Sequence, residues 1–202
     1  MALGLQTETK SAGDILPIIK YNSQSGDFVR VDRFQTSDGT WDKEEQELAL
    51  PMEVIMDLGN IEVGWISFEG GGPSFEMAKL GEQMPERPTA KHSQGFRVKI
   101  ANKELGLREF SHQAKTVVRV MDALHTEFEG LQSKHKGKVP VVQITGTERV
   151  LSKSPKGDKV YKAPVWKITK WVEYEFDAKD EGGTPEAEPV QEEVGGDDPL
   201  FD

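Results

Sequence analysis

Ser111-His-Gln-Ala-Lys-Thr-Val-Val-Arg-Val-Met-Asp-Ala-Leu-His-Thr-Glu-Phe128 is the stretch on which the fold turns. Ala114, Val117, Val118, Met121, Leu124 and Phe128 recur at helical spacing and line one face. Lys115, Arg119, Asp122 and Thr126 look outward. Ser111 is placed to cap the start, and Gly130 to take the left-handed position after the end. Nothing else in the chain reads as convincingly helical. One amphipathic helix set among strand signals predicts a mainly β protein.

Downstream of the helix lies a basic loop, Lys134-His-Lys-Gly-Lys138, and then two long strand runs. They are residues 139–151 and 160–172, joined by a lysine-rich turn, Ser152-Lys-Ser-Pro-Lys-Gly-Asp-Lys159. Upstream, Ile15 to Tyr21 and Phe28 to Phe34 flank a turn-rich linker and predict a hairpin. Ile61 to Phe68 reads as a strand stopped by Gly70-Gly-Gly-Pro73. Phe96-Arg-Val-Lys-Ile100 alternates and reads as another. Residues 51–58 fit either a short helix opened by Pro51 or a strand. Strands, then a helix, then two strands is the order of an OB-fold: a five-stranded barrel with its main helix between strands three and four. A helix on an open antiparallel sheet is the alternative.

The 202 residues suit one domain with extras. Apolar residues make up 36% and charged residues 30%, with a mean hydropathy of −0.57. No apolar run approaches the ~20 residues needed to cross a bilayer. The first ten residues lack the basic flank and apolar core of a secretory signal. Cysteine is absent, which excludes disulfide scaffolds, thiolate metal sites and cysteine nucleophiles. The expectation is a soluble cytoplasmic protein.

The net charge of −10 is unevenly placed. Residues 1–86 carry −10, residues 87–171 carry +11, and residues 177–202 carry −9. Gly, Pro and Glu dominate 177–202, which cannot bury enough surface to offset ordering entropy. The expected organisation is a flexible segment over 1–12, a body over 13–176 and a disordered acidic tail over 177–202. As a coil, 26 residues span roughly 30 Å, enough to reach the body's own basic surface.

No enzyme signature emerges. Gly130 to Val139 has the wrong glycine spacing for a phosphate loop and lacks the magnesium-binding hydroxyl. His125-Thr-Glu127 has no Pro-Cys-x-x-Cys partner, so a zinc deaminase is dismissed and His125 reads as an exposed helix residue. Glu69-Gly-Gly-Gly-Pro73 reads as a strand end rather than an anion nest. Asp14, Asp27, Asp32, Asp38 and Asp42 lack metal-loop spacing. No catalytic residue, metal ligand or cofactor is expected.

What stands out is Lys and Arg interleaved with aromatics. Single-stranded nucleic acid asks for this mixture: phosphates need cations, and bared bases need flat faces, each stack worth roughly 1–3 kcal/mol. The candidate contacts are Arg97, Lys99, Lys153, Lys156, Lys159, Tyr161, Lys162 and Lys167. Trp166 shares strand parity with Val160 and Ile168 and is expected in the core. Tyr161 is placed on the other face, beside Lys159 and Lys162, as the stacking residue. Trp41 sits in a polar stretch where a core role is hard to defend, but neighbouring acids weaken it as a DNA contact.

The β-rich body, the basic strand–turn–strand and the spacer ending in Asp197-Asp-Pro-Leu-Phe-Asp202 resemble OB-fold single-stranded-DNA-binding proteins with an acidic tail. Those of tailed phages are nearest in plan. The resemblance implies that Asp197, Asp198, Pro199, Leu200 and Phe201 recruit replication, recombination or repair proteins. It also implies that the tail competes with DNA for the basic groove. The bacterial tip reads Asp-Asp-Asp-Ile-Pro-Phe; here Pro and the branched residue are exchanged, and Asp202 follows the Phe. The expected partner is single-stranded DNA, and a homodimer is compatible with the reading. The alternatives are a scaffolding module acting through its tail, and an RNA-binding or strand-annealing protein.

Overall fold

The computed structural model describes residues 16–69, 73–153 and 157–176. Its strands are β1 (Ile18–Tyr21), β2 (Phe28–Gln35), β3 (Trp41–Glu47), β4 (Met52–Met56), β5 (Glu62–Ser67) and β6 (Ser74–Lys79). They continue with β7 (Ser93–Asn102), β8 (Gly106–His112), β9 (Val139–Ser152) and β10 (Lys159–Val172), with helix α1 (Lys115–Gln132) between β8 and β9. The class is mainly β with one helix, as the sequence implies. No helix among the described residues is long and apolar enough to cross a membrane.

All ten strands join one sheet, ordered β10-β9-β4-β7-β8-β1-β2-β3, with β5 beside β7 and β6 beside β5. The path has two ends, β10 and β3, so the sheet does not close, and the expected five-stranded barrel is not what the pairing draws. Two local features explain the difference. First, β1 pairs parallel to β8, Ile18 opposite Glu109, and carries the β2–β3 hairpin outward from there. Second, β4 and β5 run antiparallel to β7 as one interrupted strand, Met56 opposite Ile100 and Glu62 opposite Arg97. A short 3-10 turn, Leu58–Asn60, breaks them and buries Leu58. The break lets β4 turn to β9 while β5 turns to β6. Residues 51–58 thus form a strand leading into a turn, not a helix.

The helix buries Val117, Met121, Leu124 and Phe128, the face its periodicity predicts. They meet Phe28, Val54, Phe96, Val98, Phe110, Val142 and Ile144 in a single core. Each such side chain contributes about 1.5–3 kcal/mol when buried. The predicted caps are corrected. Ser111 belongs to β8, opposite Arg97, because the β7–β8 ladder runs on to His112. Ala114 occupies the N-cap position, its N–H donating to His112 Nδ1 at 2.9 Å. Gly130 lies inside the helix, which ends at Ser133. His125 is not freely exposed: its side chain is 14% accessible and its ring lies 5.6 Å from Phe128.

Three polar groups anchor β1 and its turn. Tyr21 donates its hydroxyl to the Lys162 carbonyl at 2.8 Å, and burial, with Asp27 second, pushes the phenol up to about 12. The Lys162 N–H donates to the Ser23 carbonyl at 2.7 Å. Its ammonium donates to the Ser25 carbonyl. Gly26, at φ +88°, turns the chain there; a Cβ would stand 2.6 Å from Lys162 Cδ, so the turn fits closely on that lysine.

Candidate nucleic-acid interface

Cross-strand register decides which side chains share a face. On β10, Lys159, Tyr161, Val165 and Lys167 alternate with Val160, Lys162, Pro164, Trp166 and Ile168. Trp166 and Ile168 pack on the core, and Trp166 Nε1 donates to the Val120 carbonyl of α1 at 3.0 Å. The first set therefore looks away from the core, except at Ala163, which shares its parity and is buried. Lys167 stands opposite Gln143, and Gln143 opposite Glu53. From Glu53 the same side runs through Ile55 to Ala101, then along β7 to Lys99 and Arg97. Arg97, Lys99, Lys159, Tyr161 and Lys167 thus occupy one side of the sheet, and the core lies on the other.

An aromatic pair joins this side that the sequence reading does not identify. Phe75 on β6 opposes Ile66, and the Arg97 guanidinium lies 5.5 Å from its ring centre. Phe68, 53% exposed, meets Phe75 edge-on at 6.1 Å. The alternation Phe75, Met77, Lys79 was the available signal, obscured by the Gly-Pro run just before it.

The charges on this side are not equally free. Arg97 Nε lies 2.6 Å from Glu62 and 3.9 Å from Glu109. A phosphate can claim Arg97 only in exchange for Glu62. Lys99 Nζ reaches the Phe176 carbonyl at 3.4 Å, so the last described residue lies against this side. Lys153, Lys159 and Lys167 are exposed and have no ion pair among the described residues. Lys170 is held by Glu53 at 2.8 Å.

Lys162 is corrected. It points to the face opposite Tyr161, and its ammonium is committed to the Ser25 carbonyl. Adjacent residues on a strand cannot share a face, which separates the pair. Lys156 and the tip residues Asp197 to Phe201 lie outside the described residues, as do 1–12 and 177–202. Trp41, on β3, is 63% exposed.

A second basic cluster sits at the far end of α1. Lys134, Lys136 and Lys138 surround His135, which lies flat on Trp171 at 4.5 Å and 9°. An open cleft of about 480 Å³ there is bounded by Leu131, His135, Lys138, Ile168, Lys170 and Trp171. The basic loop is legible in the sequence; its meeting with Trp171 and Lys170 is not. Among the described residues, no group of His, Asp and Glu is arranged to hold a metal ion.

Among the described residues, the fold and these surfaces define a mainly β protein with one α-helix and a non-closed ten-stranded sheet. Comparison with known protein families, curated proteins and solved structures finds no match for the chain.

Proposed function

We propose that the chain binds single-stranded DNA without strong sequence preference, and that it does so during replication, recombination or repair. The observation that carries the reading is the shared side of Arg97, Lys99, Lys159, Tyr161 and Lys167, with Phe75 beside Arg97. Cations spaced along a surface with flat rings between them suit a strand whose phosphates and bases are both accessible. Lys153, at the end of β9, extends the same basic arm. The body is best read as an elaborated OB-type fold. Interrupted β4–β5, then β7, β8, α1, β9 and β10 follow the expected order, with β1 to β3 and β6 as additions.

The acidic residues 177–202 act as a competing anion and as a recruiting segment. Phe176 supports this, because the segment departs from a point beside Lys99. Asp197, Asp198, Pro199, Leu200 and Phe201 are the docking tip for replication or recombination proteins. Catalysis, metal and cofactor have no part in the reading, and the setting is the cytoplasm, that of a bacterial host if the chain is phage-encoded. Tryptophan fluorescence tests it: oligo-dT should quench the emission in a saturable titration. A scaffold acting only through its tail predicts no change.

A further inference from the structure

The open sheet exposes two arms, and they are opposite in charge. One is the β2–β3 hairpin, the last strand on its side of the sheet. Every residue of β3 is exposed, and the strand reads Trp41-Asp-Lys-Glu-Glu-Gln-Glu47. Glu45 is tied to Lys20 and Lys43, but Asp42, Glu44 and Glu47 have no cation partner among the described residues. Register puts Phe34, 45% exposed, directly opposite Asp42 and on the same face as Glu44. The other arm is the end of the β9–β10 hairpin. Leu151 and Val160 are opposed there, 54% and 44% exposed, and Arg149 shares their face. Lys153 and Lys159 stand at its margins, all without ion pairs among the described residues.

Each arm has what the other lacks. Phe34 is an exposed ring flanked by unpaired carboxylates. Leu151 and Val160 are an exposed apolar pair flanked by unpaired cations. Two acidic arms repel each other, as do two basic arms, so a symmetric pairing of like with like is disfavoured. We propose that the acidic arm of one copy docks on the basic arm of a second copy, Phe34 against Leu151 and Val160, with Asp42 and Glu44 facing Arg149 and, at the margin, Lys153. A contact between two different surfaces leaves one arm free at each end, so it propagates head to tail. It shares the basic arm with the nucleic-acid reading but is tested on the protein alone, without nucleic acid.

Sedimentation velocity on the full chain tests it. Wild type should show a mass that climbs with concentration at low salt. It should fall to one chain, 22.5 kDa, near 1 M salt, where screening acts within ~3 Å. D42K/E44K and R149E/K153E should each sediment as a single chain under all these conditions. An equimolar mixture of D42K/E44K with R149E/K153E brings together one intact acidic arm and one intact basic arm. It should form a complex of two chains that grows no further. All altered positions are exposed, and circular dichroism of each variant checks that the fold is retained. A wild type that stays a single chain at low salt, a mixture that fails to pair, or a variant that still dimerises with itself would overturn the proposal.

Discussion

Arg108 Nη2 lies 2.7 Å from Asp32 Oδ1, joining β8 to β2 across the intervening β1. The arginine is buried, and its Nε also donates to the Leu105 carbonyl at 2.6 Å. Burial alone would raise the Asp32 carboxyl, but Arg108 and Arg30 outweigh it and hold the group below the usual carboxylate range. Removing Asp32 leaves a buried guanidinium short of its counterion. Breaking a fully buried pair typically costs about 3–5 kcal/mol. Asp32 is 30% exposed, so Asp32→Ala should cost about 2–3 kcal/mol in denaturant unfolding. Unchanged stability would show that the pair does not fasten the hairpin.

His112 predicts a pH dependence. Its Nδ1 accepts the Ala114 N–H and its Nε2 faces the Tyr21 carbonyl at 3.2 Å, an arrangement suited to the neutral ring. Burial lowers its pKa, against a smaller opposing effect of the Tyr21 carbonyl. The unfolded chain therefore binds the proton first as pH falls. This contribution to stability is complete above the ordinary histidine value of about 6.5 and is lost below it, down to the folded pKa. Unfolding midpoints should drop between pH 7.5 and pH 5. In His112→Gln, whose amide can both donate and accept, the drop should be smaller. An identical pH profile in the variant would assign the effect to other groups.

Stacking and charge separate at β10. Tyr161→Ala should weaken single-strand binding with little change in salt dependence. Lys159→Ala should lower the salt slope by roughly 0.7, one phosphate's share. Lys162→Ala should behave differently from both: it should lower stability through the Ser25 contact and leave the slope alone. A slope change in Lys162→Ala equal to that of Lys159→Ala would mean that Lys162 leaves its turn to meet the strand.

Residues 177–202 carry −9 and follow a residue held beside Lys99. Their deletion should tighten single-strand binding, most at low ionic strength where screening is weakest. Removing only Asp197 to Asp202 should keep most of that inhibition, since most of the charge remains, and should abolish partner recruitment. Unchanged affinity after full deletion at low salt would leave the segment a docking peptide only.

The helix face, the β1–β2 hairpin, β7 and the β9–β10 hairpin were legible because each has a strong period and clear turn residues. β3 was not, because all seven of its residues are exposed and it shows no apolar alternation. β8 was obscured by Arg108, a charge inside the core that breaks its pattern. For the site, alternation placed Tyr161 on the outer face with Lys159, but the reading also set Lys162 there, which its neighbouring position on the strand forbids. It could not supply partners distant in sequence. Glu62 on Arg97 and Ser25 on Lys162 are contacts across 35 and 137 positions. The strand order likewise depends on β1 pairing with β8, which no local pattern encodes.

The central claim is single-strand recognition. Fluorescence polarisation with labelled single-stranded DNA, single-stranded RNA and duplex DNA, at two salt concentrations, tests it most directly. Single-stranded DNA should bind most tightly and with little dependence on sequence. Its log K should fall linearly with log salt at about −0.7 per phosphate neutralised. Preferred binding of RNA would move the function to RNA. Tighter binding of duplex, or an affinity indifferent to salt, would contradict the account.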